Sequence, residues 1–166
     1  EPLDYDGLIV ALLRLHGVLS RLAPDTETLA RARALHALAW AQVEAARQRA
    51  QLAGLLLEGR RPRPEELEAF IAARARQRAN LEFFNAEGGL TAARLLAEIV
   101  TGEEVHRAEL TKARAIALAG RDLPVTPVAD RTVAARQWFA DSTRAIELIG
   151  MVEHRVAALM LDRSRE

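Results

Sequence analysis

Apolar residues recur at intervals of three and four along most of the chain, which is the spacing of amphipathic helices. Prolines, glycines and helix-capping residues divide this pattern into a series of predicted helices. These run from Tyr5 to about Leu22, Thr26 to Gly59, Pro64 to about Phe84, Thr91 to about Gly102, Glu103 to about Gly120, and Asp130 to Arg163. No strand pattern or internal repeat is found. The pattern therefore predicts an all-α fold, an antiparallel four-helix bundle of long helices with up-down topology, in a single domain over residues 1–166.

Three of the predicted helices carry a stripe with alternating steps of three and four residues, as in helices that pack along a shared seam. The stripes contain Leu35, Leu38, Gln42, Ala45, Arg49, Leu52 and Leu56; Leu67, Phe70, Arg74, Gln77, Leu81 and Phe84; and Phe139, Ser142, Ile146, Ile149, Glu153, Val156 and Met160. We expect the last helix to be continuous through Gly150, with Trp138 and Ile146 facing other helices. Polar members fall in the middle of each stripe. Because Arg49 lies in a stripe of mostly apolar residues, we expect its side chain to point into the seam and to be largely buried.

Two arginines of these stripes point to a binding site. The short turn before Pro64 makes its flanking helices antiparallel, and Arg49 and Arg74 are nearly equidistant from that turn. Two guanidiniums in a seam with little water are costly unless a negative group offsets their charge. That group is either a carboxylate, with Glu44 and Glu153 as candidates for an ion pair with Arg49, or a bound anion. The candidate ligand-binding residues are Arg49, Arg74, Gln42 and Gln77.

Composition and motifs argue against several classes of function. The 23 basic and 23 acidic residues balance to a net charge of +0, so a nucleic-acid partner is not expected. The chain has no cysteine, which removes disulfides and thiolate metal sites. Glu103 and His106 form one Glu-x-x-His, but a di-iron bundle needs a second copy and further carboxylates. With no nucleophile triad or phosphate loop, we expect no catalytic site, metal or cofactor.

Three segments resemble one known family. Val43–Arg60 reads VEAARQRAQLAGLLLEGR and resembles a pattern of approximately Lys-Glu-x-x-x-x-Glu-Arg-Ala, in which Glu44 and Arg49 match and Gln48 replaces a glutamate. Ala75–Phe84 is similar to Gln-x-x-x-Leu-x-x-Phe, and Trp138–Val156 to Trp-Phe-x-x-x-Thr-x-x-Ile-x-x-Leu-x-x-Val-Glu. The chain thus resembles the NIT, or nitrate- and nitrite-sensing, domain family. The family's earlier Gln-x-Glu-Arg-Gly-like stretch, which carries a further anion-binding arginine, has no counterpart here.

The resemblance implies a helical-bundle sensor domain, with Arg49 at the position that binds the oxyanion in nitrate-responsive members. Such domains are often the extracytoplasmic part of a membrane receptor kinase. The hypothesis is therefore a bacterial two-component receptor that senses nitrate, nitrite or another small anion and signals through its C-terminal helix. We expect a homodimer and a fragment of a longer receptor, attached to a membrane span outside the given chain; a cytoplasmic location stays open. The alternative is a ligand-free protein–protein interaction or dimerisation module.

Overall fold

The computed structural model describes residues 26–163, which fold into a bundle of five α-helices. The helices are α1 (Thr26–Glu58), α2 (Pro64–Glu87), α3 (Gly89–Ile99), α4 (Glu103–Ala119) and α5 (Arg131–Arg163), with a 3-10 turn at Val128–Asp130 before α5. No strand occurs within this range, so the predicted all-α fold is confirmed. The predicted helix from Tyr5 to Leu22 lies outside the described residues.

Helix α1 is the centre of the bundle, because it packs along both α2 and α5. Both neighbours run antiparallel to it. Helix α2 folds back along α1 after a short turn, and α5 pairs Glu153 with Gln42 but its earlier residue Thr143 with the later residue Arg49. Helices α3 and α4 follow one another and together take the place of the third helix of a four-helix bundle. Both pack on α5. The chain therefore runs up, down, up and down, and the predicted topology is confirmed.

The turn between α1 and α2 follows the sequence signals closely. Gly59 ends α1 in the left-handed region, at φ 61°, which glycine adopts without steric cost. Pro64 opens α2, where its missing N–H and fixed φ suit the first turn. Glu66 closes a capping box by accepting a hydrogen bond of 2.7 Å from the backbone N–H of Arg63. The sequence signals for this tight turn are thus local.

The boundary between α2 and α3 differs from the prediction. Helix α2 continues to Glu87, past the expected end at Phe84, and α3 begins at Gly89 rather than at a Thr91 cap. The reason is packing at Gly88, where a Cβ would lie only 2.8 Å from the Phe84 carbonyl oxygen and 3.0 Å from the Ala92 Cβ. The glycine therefore permits a close approach of the two helices.

Two apolar clusters occupy the ends of the bundle. The first surrounds Trp138 and Leu52 near the α1–α2 turn, and the second surrounds Phe84 and Ile149 at the opposite end. Buried polar side chains also occur in the bundle, and we call them the polar layer: Glu44, Gln48, Lys112, Asp141 and Ser142. Of these five residues, only Ser142 belongs to one of the three stripes.

Helix α5 is continuous through Gly150, as predicted. Trp138 is 1% exposed and donates a hydrogen bond of 2.9 Å from Nε1 to the Arg49 carbonyl oxygen on α1. Phe139, which the stripe placed in the seam, is instead half exposed because Trp138 takes the inward position. Between residues 26 and 163, no helix is both long and apolar enough to cross a membrane.

Candidate functional site

Arg49 lies at the contact between α1 and α5. Its Nη1 donates a hydrogen bond of 2.8 Å to the Thr143 hydroxyl, and its Cζ lies 4.6 Å from the centre of the Phe139 ring. The side chain is half-buried rather than largely buried as the stripe predicted. Because Trp138 holds the Arg49 carbonyl, the backbone that carries this guanidinium is fixed against α5.

Neither predicted counter-ion pairs with Arg49. The buried Glu44 carboxylate accepts hydrogen bonds from Arg76 on α2 and, at 2.8 Å, from Arg47. Glu153 accepts a hydrogen bond of 2.6 Å from Gln42 Nε2. The expected ion pair is wrong because Glu44 faces α2, on a different side of α1 from Arg49. Within residues 26–163, no carboxylate lies at ion-pair distance from Arg49.

The four candidate ligand-binding residues do not converge on one point. Arg49 and Gln42 face α5, but they are two helical turns apart, which is about 10 Å along α1. Arg74 and Gln77 face α4, where Arg74 Nη2 lies 3.4 Å from Glu109 Oε2. Arg49 and Arg74 therefore serve two different helix contacts rather than sharing one seam. The cause is that α1 is flanked on two sides, by α2 and by α5.

A connected hydrogen-bond network joins α1, α2 and α4 through the polar layer. Gln48 Nε2 donates to Gln77 Oε1 at 2.8 Å, and Lys112 Nζ lies 3.4 Å from the same oxygen. Lys112 Nζ also donates to Glu109 Oε1 at 2.7 Å. The Gln48 Oε1 atom is buried and accepts no hydrogen bond from the described residues. Such an unpaired buried acceptor lowers the free energy of unfolding by about 1–3 kcal/mol. The polar layer is therefore less stable than fully paired packing would be.

Two carboxylates hold α4 in place. The buried Asp141 on α5 accepts hydrogen bonds of 2.8 and 3.1 Å from Arg107 on α4, and one of 3.1 Å from Gln137. Burial raises the pKa of Asp141, but these hydrogen bonds outweigh burial and leave the pKa below its usual value. Burial likewise raises the pKa of Glu109, and the charges of Lys112 and Arg74 reverse the direction. Both side chains are therefore ionised at neutral pH.

Several of these residues were not among the predicted site residues. Thr143 and Phe139 lie within the Trp-Phe-x-x-x-Thr segment of α5, so the motif contained a signal for the surroundings of Arg49. Lys112 and Glu109 lie on a helix for which no stripe was assigned. Their one sequence signal is that Lys112 is the only lysine in the chain. In the part of the chain that the structure describes, no group of three or more His, Asp and Glu side chains is placed to hold a metal ion.

Comparison with known proteins gives one match. The sequence model of the NIT family, described as nitrate and nitrite sensing, matches residues 4–161. No curated protein and no solved structure matches the chain significantly.

Proposed function

The chain belongs to the nitrate- and nitrite-sensing (NIT) family, and we propose that it is the sensor domain of a bacterial signalling receptor that binds nitrate or nitrite beside Arg49. The family gives the sensing role. The observation that carries the choice of site is the Arg49 guanidinium, which is half-buried between two long helices and has no carboxylate partner among the described residues.

The chemistry of the site suits a small planar oxyanion. A guanidinium presents five N–H donors in a rigid fork, and among the described residues Arg49 uses this fork for one hydrogen bond, to Thr143. The remaining donors are available for a bidentate, charge-assisted interaction with two oxygens of one anion. The Phe139 ring covers one face of the guanidinium and keeps its orientation.

The position of Arg49 also provides a route for a signal. An anion held between Arg49 on α1 and Thr143 on α5 contacts both helices. It therefore favours the arrangement of α1 and α5 in which Arg49 and Thr143 are close together. Coupling of this kind is typically worth about 1–3 kcal/mol. The helices are already close further along, since a Cβ on Gly150 would lie 3.2 Å from Gln42 Oε1. We propose that a small displacement of α5 carries the signal to an output domain.

Further parts of the proposal follow from the usual organisation of such receptors. We propose that the domain is extracytoplasmic, acts as a homodimer and controls a histidine kinase of a two-component system. The continuous α5 supports this proposal, because a helix of 33 residues is a rigid connection along which a displacement can be transmitted. The ligand-free interaction module is the competing function, and the experiment below separates the two.

The test is the thermal unfolding temperature of the purified chain with nitrate, nitrite, chloride and sulfate at equal ionic strength. We expect nitrate or nitrite to raise the unfolding temperature of the native chain and of Arg136→Ala. Arg136 is an exposed arginine on α5, so its removal is a matched loss of charge. Arg49→Ala should lose the response while keeping its helical circular-dichroism spectrum, and Arg49→Lys should recover only part of it.

Two results would overturn the proposal. One is a nitrate and nitrite response that persists unchanged in Arg49→Ala. The other is the absence of a response in the native chain, in which case a concentration-dependent mass in analytical ultracentrifugation would favour the interaction module.

A further inference from the structure

A cavity of about 180 Å³ lies among α1, α2, α4 and α5, and Arg49 is not among the residues that line it. Its walls are mostly apolar and include Leu81, Val105 and Ile149. Lys112 and Ser142 of the polar layer also line it. The cavity is thus a mostly apolar space whose charged wall residues are Lys112 and Glu109.

Lys112 is unusual in this cavity because it is an ammonium only 6% exposed to solvent. Burying a charge is costly unless its partners satisfy it. Glu109 is a good partner at 2.7 Å, but its own side chain is half exposed. The contact with Gln77 is long, at 3.4 Å, and the third N–H of the ammonium has no acceptor among the described residues. Between residues 26 and 163, one donor of Lys112 is therefore without a partner.

The pocket beside the cavity is lined by positive charges. A shallower pocket of about 160 Å³ shares Gln77, Leu81 and Glu109 with the cavity, and Arg74 and Arg78 line it. The three cations Lys112, Arg74 and Arg78 thus line the two spaces together with one carboxylate, that of Glu109. These positive charges attract an anion to this region. The three cations and Glu109 together still have a net positive charge after one anionic charge is bound.

The volume and the walls indicate what kind of anion fits. An apolar cavity of about 150 Å³ holds a benzene molecule, so this one accommodates about six or seven non-hydrogen atoms. Nitrate and nitrite are smaller and wholly polar, and they would leave the apolar walls without contacts. We propose that the cavity binds a short-chain monocarboxylate of about four or five carbons, with its carboxylate on Lys112 and its alkyl chain against Leu81, Val105 and Ile149. This site does not rest on the Arg49 site.

Butyrate is the probe for this proposal, measured by isothermal titration calorimetry on the purified chain. We expect butyrate to bind the native chain and Arg49→Ala equally. Lys112→Met keeps the aliphatic stem but removes the ammonium, and we expect at least tenfold weaker binding. Ala145→Leu fills the cavity that Ala145 lines and leaves Lys112 in place, and it should weaken binding to the same extent. Circular dichroism shows that each variant is folded.

A second readout locates the ligand. Trp138 lines the cavity and Trp40 does not, so butyrate should shift the Trp138 indole N–H resonance and leave that of Trp40 unmoved. The Trp138→Phe variant assigns the two peaks. The proposal is wrong if butyrate fails to bind the native chain below about 10 mM, or if Lys112→Met and Ala145→Leu bind it as well as the native chain. Neither result affects the nitrate test, which depends on Arg49.

Discussion

Trp138 connects the two helices between which Arg49 lies, and its replacement by phenylalanine gives a quantitative test of that connection. The indole N–H donates to the Arg49 carbonyl at 2.9 Å, and the side chain is 1% exposed. Trp138→Phe keeps an aromatic ring in the first apolar cluster but removes this hydrogen bond. We expect both stability and the orientation of Arg49 to be affected.

The expected loss of stability has two parts. One net hydrogen bond contributes about 0.5–1.5 kcal/mol to the free energy of unfolding. The smaller ring also gives up about 50 Å² of buried apolar area, worth about 1 kcal/mol at about 25 cal/mol per Å². The sum is about 2 kcal/mol. For a chain of this length it corresponds to a fall of about 4–8 °C in the unfolding temperature.

Urea unfolding followed by circular dichroism measures this difference, and Trp40→Phe is the matched control. Trp40 donates to His36 at 3.1 Å within α1 itself and is only half-buried, so its replacement should cost less than about 1 kcal/mol. Equal losses in the two variants would refute the idea that Trp138 is a special link between α1 and α5. A loss below about 0.5 kcal/mol for Trp138→Phe would refute the calculation itself.

Two further predictions concern glycines and pH. Gly54→Ala should stabilise α1 by up to about 1 kcal/mol, since no atom lies within 4 Å of the added Cβ. Gly88→Ala should destabilise the chain, because its Cβ would lie 2.8 Å from the Phe84 carbonyl oxygen. Urea titrations that rank the two variants in the opposite order would contradict both expectations. The pKa of Asp141 is lower in the folded chain than in the unfolded chain, so its contribution to stability is present above the unfolded value and is lost as the pH falls through the folded value. Asp141→Asn should therefore lower the free energy of unfolding at pH 7 and flatten its decline below about pH 4. If the free energy of unfolding declines with acid in the same way in both proteins, Arg107 does not perturb the Asp141 carboxylate.

The helices themselves were predictable because their signals are local. Three signals act over only a few residues: the spacing of the apolar residues, Gly59 at the end of α1, and Pro64 to Glu66 at the start of α2. They predicted these helix boundaries correctly. The short turn between α1 and α2 then required an antiparallel pair. The α2–α3 boundary was misplaced, because the close approach of Gly88 to Ala92 depends on packing rather than on local propensity.

The side-chain partners were decided by the tertiary structure alone. A stripe gives the face of a helix on which a residue lies, but it does not say which neighbour that face meets. Arg49 and Arg74 were expected to meet, yet each faces a different helix, and Glu44 is paired with Arg76. Lys112 reaches Gln77 across 35 residues of sequence, a contact that exists only once α2 and α4 lie side by side. Long side chains select partners through the relative rotation of helices, which no single helix pattern contains.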